Sequence, residues 1–444
     1  MTAIVSHRPE IQILIDGKDR TRLLGDQGSV RLQKSLYAPM GEAHIAFPDM
    51  PATDGMLPAP ATARRDSLYG LVPVLAPVEI RLRRDTPDWT PVLRGFVRSV
   101  GRNESVGGDG RVQRQVVIVA HDCGAAFVMQ TVATLISWQN EGRPIPAPFN
   151  WLREASLTST PMPAGEFVRR LAVDSTRSIL AAAGFEWDPQ ISVTKGTAVP
   201  SVVATGDGPI WAILERYADG PWNELFVREG AKNPELVFRP TPWRDIDGKP
   251  LPDAPQNVLA HAIPMSSILG LNAARDDVEL VNHVVVTAPE YGISGYASGL
   301  SAQRGLVNAE TREKFGDRTP SQLQTHLGPG VAAINLPAAE QQRAGTVDWP
   351  QWLAERLKWA VAAAKDIHQF ERGSLTIKGD PRIRVGDYFT VQRGPLFWSG
   401  YAIGVSHDFQ PYNRYLTHVE YIRGDQWIKR AEMPNPWELE RQTA

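Results

Sequence analysis

Cysteine is almost absent: Cys123 is the only one in 444 residues, so no intrachain disulfide can form and a thiolate metal cluster is disfavoured. That scarcity suits a chain folded in a reducing cytoplasm. Long apolar runs are missing too. No stretch approaches about 18 uninterrupted apolar residues, so no membrane-spanning helix is predicted. The alanine-rich run around Val361 is broken by Lys358 and Lys365. Near the start, the apolar run at residues 11–15 contains Gln12 and closes at Asp16, which leaves no apolar core for a secretion signal. Neither sign of charge is in excess: 47 basic against 49 acidic side chains give a net charge of −2. A broad polyanion-binding surface would need a basic surplus, although a local basic patch stays open.

Signatures of catalysis are also lacking. No His-Glu-x-x-His occurs, and none of the nine histidines pairs at metal-site spacing on a predicted helix. Gly292-Ile293-Ser294-Gly295 stops short of a nucleophile elbow, and neither Gly17-Lys18 nor Gly248-Lys249 is followed by the Ser or Thr of a phosphate loop. Three candidates remain. His121-Asp122-Cys123 holds a nucleophile and a base, but neighbours on a strand point to opposite faces, so a strand-end turn with a small buried cysteine is the simpler reading. His407-Asp408 sits at an analogous strand end with no cysteine, which supports it. Asp276-Asp277-Glu279 is the densest acidic cluster and could supply a carboxylate pair, yet it reads as a solvated turn before a strand. Tryptophans could present aromatic faces to sugars; Trp211, Trp352 and Trp359 fall on predicted helices where packing is favoured, while Trp243, Trp398 and Trp427 fit either use. No cofactor, metal or catalytic residue is assigned.

What is present is an ordinary globular balance, 42% hydrophobic and 22% charged, with 36 prolines and 13 tryptophans. The length allows two to four domains. Prolines gather at residues 48–60, 144–148, 240–255 and 434–436, which reads as linkers and loops between compact units.

The first part reads as strands. Residues 11–15 run into the hairpin signal Asp16-Gly17; residues 78–83 alternate apolar and polar; residues 92–100 and 112–120 follow, separated by a Gly-rich turn at 107–110. The middle is mixed. Phe167, Leu171, Ile179 and Ala183 make a helical stripe closed by Gly184, and a second helix starts at Pro209 with Ile210, Ile213, Leu214 and Tyr217. Residues 225–227 and 236–238 form a hairpin. In the last part, residues 284–287 read as a buried strand. Asp348, Pro350 and Gln351 mark a helix start, and its face carries Trp352, Leu353, Leu357, Ala360, Val361, Ala364 and Ile367. Residues 374–378, 387–393, 396–406 and 415–422 return to strands. The segments 78–84, 92–102 and 112–122 share order and turn spacing with 388–394, 397–407 and 415–425. Gly95-Phe96 with Val100 thus matches Gly400-Tyr401 with Val405. Duplication and convergence of similar meanders both explain this.

One string carries more. Gly373-Ser374-Leu375-Thr376-Ile377-Lys378-Gly379-Asp380-Pro381, then Ile383 and Val385-Gly386-Asp387-Tyr388, resembles the C-terminal motif of phage tail hub proteins: the late control D type, similar to the hub part of type VI secretion spike proteins. In physical terms Gly379-Asp380-Pro381 and Gly386-Asp387 are tight turns that join barrel strands. The stretch 277–286, the pair Val405-Ser406-His407-Asp408-Phe409 and Tyr415-Leu416-Thr417, and residues 163–184, 208–222 and 225–238 match the family in order. Most of residues 1–430 is covered, the N-terminal barrel by pattern alone.

The resemblance implies a β-rich α+β protein: two tail-tube-like antiparallel β-barrel domains flanking a small α+β domain. The expected division is 1–128, first tube-like β-domain; 129–255, small α+β domain; 256–430, second tube-like β-domain with inserted loops and a long helix; 431–444, C-terminal tail. It implies a structural baseplate hub in the virion tail, assembled in the host cytoplasm. A homotrimer would present six equivalent surfaces, joining a tail tube or distal tail protein to a central spike, with a tape measure protein as a further partner and DNA passing through without specific binding. The alternatives are a tail-tip cell-wall hydrolase, a sugar-binding receptor module, and another baseplate or tail-tube component.

Overall fold

The computed structural model describes residues 8–49, 67–85, 87–106, 112–132, 151, 162–193, 197–199, 208–255, 258–275, 280–288, 303–318, 321–329, 338–393 and 396–425. Its first unit contains β1 (Pro9–Ile15), β2 (Lys18–Asp19), β3 (Ser29–Ser35), β4 (Glu42–Pro48), the short helix α1 (Leu68–Leu71), β5 (Pro77–Arg84), β6 (Thr90–Val106) and β7 (Val112–Asp122). Their order is β2-β1-β5-β6-β7-β4-β3, all antiparallel. Asp16 and Gly17 both take positive φ (53° and 69°), as a two-residue hairpin that follows strand twist requires. Alternation places Ile13 and Ile15, Ile80 and Leu82, Ile45 and Phe47, and Val116 and Ile118 in one core. Burying each such side chain contributes roughly 1.5–3 kcal/mol.

The chain then forms α2 (Ala125–Met129), β8 (Thr131–Val132), β9 (Met162–Pro163), α3 (Ala164–Val168), a π-helical turn (Arg169–Asp174), α4 (Ser175–Ala182), β10 (Asp188–Ile191), β11 (Thr197–Val199), β12 (Gly208–Pro209), α5 (Ile210–Ala218), β13 (Asn223–Glu229) and β14 (Pro234–Pro240). The helix expected over 164–183 is interrupted by the wider turn. There the hydroxyls of Ser175 and Thr176 donate back to the carbonyls of Leu171 and Ala172, both at 2.5 Å. Gly184 ends it with φ 75°.

The last part comprises β15 (Ala260–Pro264), β16 (Ile268–Ala274), β17 (His283–Thr287), β18 (Gln303–Val307), α6 (Ala309–Phe315), β19 (Ser321–Gln324), β20 (Gly328–Pro329), α7 (Ala338–Lys365), β21 (Glu371–Lys378), β22 (Tyr388–Arg393), β23 (Leu396–Gln410) and β24 (Arg414–Gly424). α7 begins ten residues before the start that Asp348 and Pro350 suggested. The upstream segment Ala338-Ala339-Glu340-Gln341-Gln342-Arg343-Ala344 consists of strong helix formers, so the helix continues through the proline. Although the chain inserts β17 to α7 between β16 and β21, their side chains Val284, Val286, Trp352, Leu353 and Leu357 share a core with Phe127, Phe167, Leu214 and Phe238. The insertion therefore packs with the central elements. No helix among the described residues is long and apolar enough to cross a membrane.

The second β-unit pairs as β16-β21-β24-β23, with β22 on the other half of β23 and β15 parallel to β22. It repeats the first. Gly95, Phe96 and Val97 of β6 face Asp122, His121 and Ala120, with a bulge before Ser99; Tyr401 and Ala402 of β23 face Ile422 and Tyr421, with a bulge before Gly404. One constant shift in numbering carries Gly95, Phe96, Val100 and the bulge onto Gly400, Tyr401, Val405 and their bulge. Across the sheet, Val30–Ile45–Ile118–Val100 corresponds to Leu271–Leu375–Val419–Val405. The two units meet directly: β3 pairs with the far half of β23, Val30 opposite Phe409 and Lys34 opposite Val405, making one 13-stranded sheet.

Candidate functional site

The β13–β14 hairpin is buried on both faces, and its sequence alternates accordingly. One face carries the cross-strand pairs Leu225 with Phe238 and Val227 with Leu236, all in the central core. The other carries Glu224 opposite Arg239, Phe226 opposite Val237 and Arg228 opposite Glu235. Phe226 and Val237 enter the core of the second β-unit. Of the flanking charges, Glu224, Arg228 and Arg239 are buried and Glu235 is half-buried, and they must be paired, since an isolated buried charge is costly.

They are paired across the module boundary. Tyr401 Oη donates to Glu224 at 2.6 Å, and Arg239 Nε donates to the same carboxylate at 2.6 Å. A further Arg239 nitrogen reaches the Gly386 carbonyl at 2.5 Å. Burial pushes the Glu224 carboxyl up, only partly offset by Arg239 and Tyr401. Arg228 donates to Glu235 at 2.6 Å and to Asp387 at 2.8 Å, and His261 and Arg384 reach the second Asp387 oxygen at 3.2 and 3.3 Å. Burial alone would raise the Asp387 carboxyl, but the His261 hydrogen bond and the Arg228 and Arg384 charges hold it below its usual range.

The hairpin tip reaches the first β-unit. Glu229 accepts from the Arg94 backbone at 3.1 Å, while the Arg94 guanidinium donates to the carbonyls of Gly230 and Ala231 and to Glu79. Lys34 Nζ lies 2.6 Å from Asp122 and 3.9 Å from Glu229. Burial opposes its charge, yet Asp122 and Glu229 outweigh this and raise its pKa. One hairpin thus ties the central elements to both β-units.

All five motif residues lie on the β21–β22 connection, in two groups. Gly379 is pressed against Tyr415, whose ring would stand 2.0 Å from an added Cβ. Asp380 accepts from the Arg382 side chain at 2.7 and 2.9 Å, its own N–H donates to Thr417 at 2.9 Å, and Pro381 is buried beside it. Arg84 of β5 donates to the Gly379 carbonyl at 3.0 Å, so this turn touches the first β-unit. Gly386 and Asp387 instead meet the hairpin: Gly386 has φ 79°, and a Cβ there would fall 2.4 Å from the Phe226 ring.

The candidates for chemistry lie elsewhere. Cys123 is fully buried and its thiol is held well above the usual range, first by burial and then by the nearby acids. Asp122 accepts from the N–H groups of Gly41 at 2.8 Å and Gly124 at 2.9 Å and pairs with Lys34, so it is spent on structure. Asp276, Asp277 and Glu279 lie outside the described residues, as does Trp427. Trp352, Trp359 and Trp398 are buried, Trp243 stacks on Trp359 at 5.7 Å, and Trp211 packs against the central core. Among the described residues, no group of three or more His, Cys, Asp or Glu is placed to hold a metal ion. The sequence reading located the hairpin but missed its charges, whose signal was charged residues at matching alternate positions of both strands.

No family model matches the sequence, and no curated protein does. Solved structures do resemble it. The tail protein from Neisseria meningitidis MC58 aligns over 94% of this chain and 96% of its own, with TM-score 0.51 and 10% identity. The 43 kDa tail protein of prophage MuSo2 from Shewanella oneidensis aligns over 94% and 98%, with TM-score 0.49 and 10% identity. A type VI secretion system component from E. coli aligns over 94% and 76%, with TM-score 0.41 and 9% identity. The chain is similar in fold, along nearly its whole length, to the tail protein from Neisseria meningitidis MC58.

Proposed function

We propose that the protein is a structural hub of a phage-type tail baseplate, acting mechanically rather than catalytically. Three copies form a pseudo-sixfold ring between a sixfold tail tube and a central spike. The observation that carries this reading is the repeated β-unit, with the same register and the same bulge in both copies. Two equivalent units per chain let a three-membered assembly offer six similar surfaces.

The sheet face turned away from the cores supports a passage for DNA. A row of side chains crosses six adjacent strands there, Thr376–His418–Ser406–Gln33–Glu42–His121, each the register partner of the next. It holds no lysine or arginine. The next row, Lys378–Leu416–Asp408–Arg31–His44, carries two basic side chains and one acidic one. A lining of this kind makes few of the phosphate contacts that would retain DNA in transit.

Tube, spike and tape measure proteins are the proposed partners, the virion tail is the proposed location, and the divisions at 128, 255 and 430 are proposed domain limits. Native mass measurement of the full chain tests the reading. Three chain masses are expected; six would indicate a tube component, and a persistent monomer would remove the ring.

A further inference from the structure

Two cavities, of about 230 and 710 Å³, share Tyr37 and Trp243 in their walls. Tyr37 stands in the turn between β3 and β4, and Trp243 follows β14. The walls are aromatic and held in place. Trp211 of α5, in the smaller cavity, stacks on Phe127 with ring centroids 6.5 Å apart. Trp243 is fixed by the Trp359 ring at 5.7 Å and by the Arg423 guanidinium at 4.7 Å. Tyr37 is left 62% exposed. Asn223 also lines the smaller cavity, and its side-chain nitrogen is buried without a hydrogen-bond partner among the described residues. A buried donor left unpaired is costly, so the site calls for an acceptor. Aromatic walls beside a lone donor suit a polyproline-type segment. Its prolines pack on ring faces, and its carbonyls make no internal hydrogen bonds and need outside donors.

We propose that Pro434-Asn435-Pro436-Trp437 of the same chain occupies this groove as a strap leading back from the end of β24. These four residues lie outside the described ones. The place where the chain leaves the second β-unit points to them. β24 ends at Gly424, and the Asp425 N–H donates to the Ser399 carbonyl at 3.0 Å. Two residues earlier, Arg423 already stands on the Trp243 ring. Nine residues separate Asp425 from Pro434, a reach of about 30 Å when extended, so the strap needs no rearrangement of the fold. A polyproline helix has three residues per turn, which sets Pro434 and Trp437 on one face to meet Tyr37 and Trp211 together. Charge agrees. The two cavities are lined by four acidic side chains against two basic ones, and the connecting residues bring Lys429 and Arg430. A tether this short holds the segment at an effective concentration on the order of mM, so a contact too weak to retain a free peptide suffices. The docking is within one chain and stands whether or not three copies form a ring.

Disulfide trapping in the full chain tests it. Asn435→Cys is combined with Glu215→Cys and, as a control, with Asp247→Cys. Glu215 is exposed and lines the smaller cavity. Asp247 is exposed and lines neither cavity. It follows Arg244, whose carbonyl accepts from Arg423 at 2.8 Å, so the departing chain reaches the control site readily. Native Cys123 is buried and stays in place. After mild oxidation the first pair is expected to link within one chain, at a yield about tenfold or more above the control. Equal yields, or no link in either variant, would overturn the docking. A link between chains, seen as a doubled mass without reductant, would give the groove to another copy and overturn it as well. A second measurement leaves the groove untouched. Pro434→Gly with Pro436→Gly should free the strap and raise hydroxyl-radical oxidation of Tyr37 and Trp211 severalfold over the parent. Unchanged oxidation of both rings would contradict this occupant.

Discussion

At Gly386 the backbone must turn left-handed while passing within a methyl group's width of Phe226. A side chain there meets both penalties, so Gly386→Ala should cost about 2–4 kcal/mol. Gly17 has a similar φ but open space around it, and Gly17→Ala should cost only about 1 kcal/mol. Denaturant midpoints of the two variants compare the contact directly. The Glu224–Arg239 pair makes a different case. Arg239→Met leaves a buried carboxylate with less compensation and should lose about 3–5 kcal/mol at neutral pH, much of it recovered by adding Glu224→Gln. With the folded-state pKa of Glu224 raised by burial, the folded form binds the extra proton, so the loss should shrink as pH falls. His407 has the opposite sign. Burial lowers its pKa from 6.5 to about 4, so the unfolded chain takes up the proton first. Stability present above pH 6.5 is lost as pH falls towards 4, by about 3 kcal/mol from this group. Urea midpoints at pH 7 and 4.5 should differ less in His407→Gln than in the parent, and equal shifts would remove His407 as the cause.

The elements that bind the molecule together were unequally legible. Period-two alternation with Asp16-Gly17, Gly95-Phe96 and Gly400-Tyr401 exposed the meanders and their recurrence. Strands β3 and β4 are less legible. Ser29–Ser35 and Glu42–Pro48 do alternate, but small side chains such as Ala43 and Ala46 lower the contrast, and their place is fixed by partners far along the chain, Phe409 and Ile118 among them. The destination of the inserted helix was also hidden. Trp352 and Leu357 announce an apolar face, but nothing local says that it joins the core that also holds Phe167 and Leu214. The turn motif is legible as strand connections, but its neighbours Arg84 and Phe226, almost three hundred and over one hundred and fifty residues away, are not. The hairpin shows what such contacts do. Phe226→Ala should cost about 3–5 kcal/mol. Because the hairpin and the β3–β23 ladder couple the cores, unfolding of the variant should remain one transition. Two resolved transitions by calorimetry would show that the hairpin and the ladder do not couple the cores.

For the molecule as a whole, the proposed function requires that a single polypeptide carry two interchangeable wall segments. The hairpin and its buried ion pairs contact both of them. The most direct test is an averaged electron-microscope image of the native assembly viewed down its axis. A closed ring is expected, with exact threefold symmetry and six similar wall segments around an open or plugged centre. Six identical subunits, or three chains whose two β-units do not alternate around the wall, would contradict it.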